Sequence, residues 1–512
     1  MKKIATAFIV VLIISFIGCN NNKTKEDETN NTSVSSPSWP GYQPIPSGFD
    51  YPANSTTLNA AVANANIAVI RNHAWALFAG MMQPASNNVG WPVWYTWPNS
   101  VDAMRIKQKF CQGDTGTMLL MQKIKNVSLI QQNKIHITGG DTILDTLHTP
   151  SYPIPQPVIN QFKNLNVFTN NYTNIIPGKH FLFNGDIMIP TESISNDGYN
   201  WINTNRFYNS DVMDSLFKVN KGKNLNAPPT YIITKHMYWP VLKGQLNLVP
   251  VWNRSAFSPS YAGYAGYETW KSFVAIDPGR TSQVVPSKLS YLYGVNNWEN
   301  KAPIGPITVS LPRVYSINDF YHHQITQDDW NAFDASDKAI LMAASYWAYN
   351  KPIGVGDYLV TIASHINTKE IYSWTMQSAW WSDNPDSGPY SLNRPNLPNA
   401  KGPWKHYELV DAYGVPVNNA QQLPAASNPY IELVIHPIQT NCNNCHMRAG
   451  YPTAQVLSNG ASYQNPTCKD LLLKLTDKSS CLSYYMRTDF QWILPDYTHK
   501  QLLCNEKPTE TK

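Results

Sequence analysis

Two cysteines three residues apart with a histidine directly after the second, Cys442, Cys445 and His446 in the run NCNNCHMRAGYP, are the residues of this chain best suited to chemistry. Residues at i, i+3 and i+4 share one face of a helix, so both sulfurs can bond the edge of a haem while the next imidazole turns toward its iron. In a chain with 7 Cys and 12 His, composition alone produces this pentad in roughly two sequences per thousand, which makes accident a poor explanation. Two other chemistries use the C-x-x-C spacing. A structural zinc site takes a second close pair of ligands, and Cys468 with Cys481 lacks that spacing. A thioredoxin-like redox pair takes a βαβ context that the flanking sequence does not carry. The expectation is one covalently attached haem c bound through Cys442, Cys445 and His446.

The stretch resembles the attachment site of c-type cytochromes. Together with TDFQWILPD after it and EIYSWTMQSAWW before it, it is similar to a group of large bacterial cytochrome c family lipoproteins, a likeness that extends over most of the chain. The resemblance implies that Cys442 and Cys445 form the thioethers and that His446 is the proximal ligand. It leaves the distal position open. Met486, in SYYMRTDFQW, is the only methionine beyond Met447, and Met447 is too close to reach the opposite haem face. Ligation by Met486 and simple gap-filling in a core are equally open readings. His499 is the next candidate, with His365, His406 and His436 upstream, although a lone histidine in an aromatic setting is commonly a satisfied structural residue. A sixth position left to water or substrate is a further alternative. PYIELVIHPIQ, a strand-like run, stands before Cys442 where a compact cytochrome c has a helix, which points to a haem held between two parts of the chain.

The elements that must position this motif begin after an export signal. Met1-Lys2-Lys3, an apolar run from Ile4 to Ile17 and Gly18-Cys19 read as a lipoprotein signal over residues 1–18, with Cys19 taking the lipid. An ordinary signal peptide with an incidental cysteine is the alternative. Residues 19–50, rich in Asn, Thr, Ser and Pro without apolar periodicity, read as a flexible tether. Residues 51–428 then form a mixed, Trp-rich domain and residues 429–512 a cytochrome c-like haem-binding region. The apolar spacing from Thr57 to Met82 predicts one long helix, and Asp329 to Tyr349 another with a capping start. Pro92–Trp97, Tyr231–Trp239, Trp270–Ile276 and Tyr358–His365 have the β-branched and aromatic character of strands. Within Gly356–Tyr390, the runs carrying His365 and Trp374, Trp380 and Trp381 should pair as neighbours, either filling an aromatic core or walling a haem edge. The fold class is therefore α+β, a large domain of antiparallel sheet and helices followed by a smaller, mainly helical haem-binding segment.

The formal charge of +5 is scattered in singles and pairs, so nucleic acid is not an expected partner. Setting aside Cys19 and the haem pair leaves Cys111, Cys468, Cys481 and Cys504 for one or two disulfides in an oxidising compartment, Cys468 with Cys481 closing the smaller loop, or for buried thiols. A lipid-anchored protein of the cell envelope, facing periplasm or cell surface, follows. Its expected work is electron transfer with a redox partner protein or a small donor or acceptor. The alternative is a haem enzyme, redox or peroxidase-like, or a ligand sensor, with His365 or His236 as acid and base beside an open iron position. A third reading has the large N-terminal region bind a partner or surface glycan that the haem wires to a respiratory chain.

Overall fold

A computed structural model of the chain describes residues 39–86, 90–106, 134–136, 142–144, 152–252, 267, 270, 272–279, 312–414, 426, 428–431, 442–452 and 485–498. The long helix expected from Thr57 is two, α1 (Ser55–Ala63) and α2 (Ile67–Met81). Asn64 ends the first and Asn66 caps the second, its side chain accepting from Val69 N–H, with Ala65 between them at φ 51°. Asn prefers such caps to a helix interior because its amide competes for backbone hydrogen bonds. The run Pro92–Trp97, expected as a strand, is a 3-10 turn over Val93–Thr96 in which the Thr96 hydroxyl donates to the Val93 carbonyl at 2.7 Å. Its tryptophans decide the outcome, because Trp91, Trp94 and Trp97 are all buried and a strand would send alternate ones to solvent. Short helices α3 (Ser100–Ala103), α4 (Gln156–Phe162), α5 (Asn196–Asn205) and α6 (Ser210–Asn220) lie along the chain between the strands.

The expected helix 329–349 is also two, α7 (Gln327–Ala332) and α8 (Ala335–Tyr349), each opened by its own capping box, Thr326 with Asp329 and Asp334 with Asp337. Asp337 is fully buried and does more than cap. Its carboxylate accepts from the backbone N–H of His180 and Phe181 at 2.9 and 3.0 Å and lies 3.0 Å from His180 Nδ1. The turn around Gly178 closes so tightly on this carboxylate that a Cβ there would stand 1.9 Å from Asp337 Oδ1. Gly178→Ala is therefore expected to lower stability by about 1–3 kcal/mol, read from the urea midpoint, because a side chain there must displace a buried, fully engaged carboxylate.

The strands run β1 (Lys134–His136), β2 (Thr142–Leu144), β3 (Ile189–Ile194), β4 (Ile232–Val241), β5 (Asn247–Val251), β6 (Ser272–Asp277), β7 (Arg313–Ser316), β8 (His322–Gln324), β9 (Tyr358–Thr368), β10 (Thr375–Trp381), β11 (Tyr407–Asp411), β12 (Gly450–Tyr451) and β13 (Met486–Arg487). Six of them form an antiparallel sheet in the order β11, β10, β9, β4, β3, with β8 pairing with the start of β9. The hairpin of β9 and β10 is the expected pairing of the His365 and Trp380 runs. Trp374, Trp380 and Trp381 are at most 1% exposed and so belong to the core. A second sheet of β5, β6 and β7 packs nearby, Trp252 after β5 meeting Trp380 edge-on at 5.6 Å. Arg71 of α2 ties that helix to the sheet, donating to the Asp411 carboxylate at 2.9 Å and to the carbonyls of Leu392, Tyr390 and Leu409.

The fold is α+β, with antiparallel pairing throughout the main sheet. Residues 39–50, read from the sequence as the end of a tether, lie against the body: Ile45 and Phe49 are buried and Tyr42 stacks on Trp97. Widely spaced apolar residues anchored by long-range contacts leave no local period to read. In the C-terminal region the described residues form α9 (Cys442–His446), the ribbon of β12 and β13, and α10 (Ile493–Tyr497). Met447, Tyr451, Met486, Phe490 and Leu494 join the same apolar core as the main sheet. Among the described residues no helix is long and apolar enough to cross a membrane.

Candidate metal centre around Cys442 and His446

Cys442–His446 forms one helical turn, as the spacing requires. The Cys442 backbone N–H and thiol both donate to the Ala426 carbonyl, the thiol at 2.6 Å. Asn443 points into the protein and donates from Nδ2 to the Ser373 carbonyl at 2.5 Å. Met447 N–H to Asn443 and Ala449 N–H to His446 close the turn at 3.0 Å each, and the chain passes directly into β12.

β12 pairs with β13, Tyr451 opposite Met486, and this brings the TDFQW segment beneath the motif. Asp489 and Phe490 both adopt left-handed backbone, φ 51° and 66°. Such a pair of non-glycine residues persists only where surroundings over-determine it. Here the surroundings are the hydrogen bonds of the completely buried Asp489 carboxylate, from Asn224 Nδ2 at 3.0 Å, Ala227 N–H at 2.8 Å and Lys369 Nζ at 2.9 Å. The result is a Phe490 carbonyl aimed at His446 Nδ1, 2.8 Å away. A carbonyl can only accept, so Nδ1 carries the proton and Nε2 holds the lone pair. Burial pushes the His446 pKa down, against the opposing effect of the Phe490 bond, so the neutral imidazole that a metal requires is the resting form.

The sheet face nearest this turn carries another histidine. Directly opposed residues in antiparallel strands share a face, which puts Glu192, Lys235, His365, Ser378 and Val410 in one row across β3, β4, β9, β10 and β11. Asn428 donates from Nδ2 to Ser378 Oγ at 2.9 Å, and the chain around it, at Ala426, holds the Cys442 thiol. His365 is pushed down to about 3, first by burial and then by the charges of Lys235 and His446. His236 belongs to the opposite row, stacked on Trp94 at 3.7 Å and bonded to Ser364 Oγ at 2.8 Å. Burial holds its pKa well below the ordinary histidine value, with His365 adding to the effect.

A stability consequence follows from His236. The unfolded chain protonates this imidazole below about pH 6.5 while the folded chain keeps it neutral, so the stability it confers is complete above that pH and is lost as the pH falls. Urea midpoints taken from pH 7 down to pH 4.5 should fall by up to about 1.4 kcal/mol per pH unit for this group, and His236→Gln should remove that share of the slope.

Met486 is fully buried on β13, four residues before Phe490 in the segment that anchors His446 Nδ1. His406 stands apart, at 3.8 Å from Asp319 with its side chain 37% exposed. The Cys445 side chain, His436, His499, Cys19, Cys111, Cys468, Cys481 and Cys504 lie outside the described residues. A bare metal ion takes three or four protein ligands, and among the described residues no three His, Cys, Asp or Glu side chains converge on one point. A haem iron takes four of its ligands from the porphyrin, so one oriented imidazole with a thiol four residues before it is a fitting donor set. Sequence reasoning missed the Asp489 cradle, whose only sign was the TDFQW run itself. No family model, curated protein or solved structure matches the chain.

Proposed function

We propose that this chain is a mono-haem c-type cytochrome of the bacterial cell envelope, similar to the large cytochrome c family lipoproteins, held to a membrane by lipid on Cys19. Its haem-binding region is the Cys442 turn together with the segment that reaches Thr498. The observation that carries the reading is the His446 Nδ1 bond to the Phe490 carbonyl. Metal-ligating histidines usually donate their second nitrogen to a backbone carbonyl or carboxylate, which sets the tautomer and the ring plane. A bound haem would supply a one-electron couple, and the protein would set its potential through axial ligation and burial. Cys442 and Cys445 would carry the thioethers and His446 the proximal bond.

For the sixth position the geometry favours His365 over Met486. His365 shares its sheet row with Ser378, which Asn428 reaches beside the segment that holds the Cys442 thiol. Met486 comes from the segment that holds the Nδ1 side of the ring. Filled coordination suits electron transfer with a redox partner protein or small donor, because it leaves no site for a substrate on the iron.

Visible spectra of the c-haem-matured protein, oxidised and reduced, test this. Sharp low-spin c-type bands that carbon monoxide leaves unchanged are expected. His365→Ala should convert them to a spectrum that shifts with carbon monoxide, whereas Met486→Leu should not. Absence of c-type bands overturns the haem reading. A wild-type spectrum that shifts with carbon monoxide moves the function to a haem enzyme or sensor.

A further inference from the structure

Trp91, just before the 3-10 turn Val93–Thr96, is 1% exposed and is covered on both faces by other rings. Tyr95 stacks on it with centroids 3.6 Å apart and planes at 5°, and His323 of β8 stacks on it at 3.6 Å and 20°. Two rings cannot both sit that close over one face, so they lie on opposite sides of the indole. Neutral aromatic pairs prefer offset or edge-on contacts with centroids about 4.5–7 Å apart, because their faces are electron-rich and repel. Tyr238 meets Trp91 in that ordinary way, edge-on at 6.3 Å. A ring that carries positive charge reverses the preference, since a cation is drawn to an aromatic face. The sandwich around Trp91 is the surround that a positively charged indole would select.

The edge of the same indole is bonded to a negative charge. Trp91 Nε1 donates to Asp329 Oδ1 at 2.9 Å, while Asp329 Oδ2 accepts from Thr326 N–H at 2.7 Å and lies 2.8 Å from His323 Nε2. Burial raises the Asp329 carboxyl, but hydrogen bonds from His323, Thr326 and Trp91 outweigh it and hold the group well below the usual carboxylate range. Asp329 therefore stays an anion and does not take the indole proton. Burial, with the charges of Tyr238, Asp337 and Asp329, holds the Tyr95 phenol well above the ordinary tyrosine value. A phenol loses an electron readily only as it loses its proton, so Tyr95 covers the indole without competing for oxidation. Other tryptophans have one of these features without the second. Trp380 donates to Glu408 Oε2 at 3.1 Å, but Trp252 meets it edge-on. Trp94 stacks on His236 at 3.7 Å, but its Nε1 has no hydrogen-bond partner in the protein.

We propose that Trp91 is a redox-active residue, the place where this chain holds a one-electron hole. A strong outer-sphere one-electron oxidant, such as a trivalent polypyridine metal complex, takes one electron from the indole and is itself reduced by one. No bond breaks, and the Nε1 proton stays on the indole in its hydrogen bond to Asp329, so the product is the indole radical cation. The Asp329 anion stabilises that charge at the ring edge and the Tyr95 and His323 rings stabilise it at the two faces. Burial keeps water from the radical. An electron from any reductant restores Trp91, which makes the residue a relay that is not consumed. The proposal uses no residue of the Cys442 turn and stands apart from the haem reading.

The test oxidises the full chain with flash-generated tris(bipyridine)ruthenium(III), any bound haem being held oxidised so that it donates no electron, and reads the frozen sample by electron paramagnetic resonance. A tryptophan radical is expected, identified by the narrowing of its signal when the chain is made with ring-deuterated tryptophan. Trp91→Phe, which keeps a ring in the sandwich, should remove most of that signal. Asp329→Asn, which keeps an acceptor for Nε1 but not the charge, should lower the Trp91 share of the protein radical at least about tenfold. Trp380→Phe should leave the signal as it is. Thermal melts of the three variants show that each is folded when it is oxidised. A tryptophan signal of full intensity in Trp91→Phe, one that Trp380→Phe removes instead, full intensity in Asp329→Asn, a tyrosyl signal in its place, or no protein radical at all would overturn the proposal.

Discussion

Replacing both thiols, Cys442→Ser with Cys445→Ser, is expected to abolish covalently held haem. Pigment that stays with the wild-type polypeptide through denaturing electrophoresis should be absent from the double variant. The thioether bonds are the only covalent link that the motif offers. The remaining axial bond from His446 breaks when the protein unfolds and the Phe490 carbonyl no longer orients the ring. The Cys442 thiol donates to the Ala426 carbonyl, and a serine hydroxyl can make the same bond, so the double variant should still fold. Its urea midpoint should be within the range of ordinary surface changes, about 0.5 kcal/mol of the unloaded wild type. Haem that survives denaturation in the double variant would move the attachment elsewhere in the chain and sink the assignment of these residues.

The other large effect concerns Asp489. Its carboxylate is 0% exposed and is met by Lys369 Nζ, Asn224 Nδ2 and Ala227 N–H. Asp489→Ala takes the carboxylate from the Lys369 ammonium, 11% exposed and left with the Tyr372 carbonyl at 3.1 Å, and removes the acceptor of the Asn224 amide and the Ala227 N–H. Removing one partner of a buried pair typically costs about 3–5 kcal/mol. The loss should appear in the urea midpoint at unchanged m-value. It should also appear at the proposed haem site, because Asp489 and Phe490 hold left-handed backbone only while this cradle exists. Once the turn relaxes, the Phe490 carbonyl leaves His446 Nδ1, so the matured variant should bind haem with a broadened, less uniform low-spin signal. A variant that loses less than about 1 kcal/mol would show that Lys369 finds water or another acceptor easily.

What can be read from this sequence and what cannot divides by the distance over which residues act. The C-x-x-C-H spacing, the capping boxes at Thr326 and Asp334, the strand character of Ile232–Val241 and Tyr358–Thr368, and the α+β class are local patterns, and local periods of 2 and 3.6 are visible in a single sequence. The break at Asn64–Asn66 rests on Asn capping inside an otherwise helical apolar spacing, and the 3-10 turn at Val93–Thr96 was harder because the tertiary demand to bury Trp91, Trp94 and Trp97 overrides strand propensity. Nothing local pairs Asp489 with Asn224, 265 residues away, or with Lys369, 120 residues away. The same holds for Tyr238 and His323, which come to one face of the sheet because β4 and β8 both pair with β9. The sequence by itself determined the motif that could hold a haem, the central strands β4 and β9 and the α+β class. The tertiary structure alone decided which nitrogen of His446 holds the lone pair and that His365 shares the sheet row of Ser378. Those outcomes depend on strand register and buried hydrogen bonds between distant segments, and the chain carries no period that encodes them.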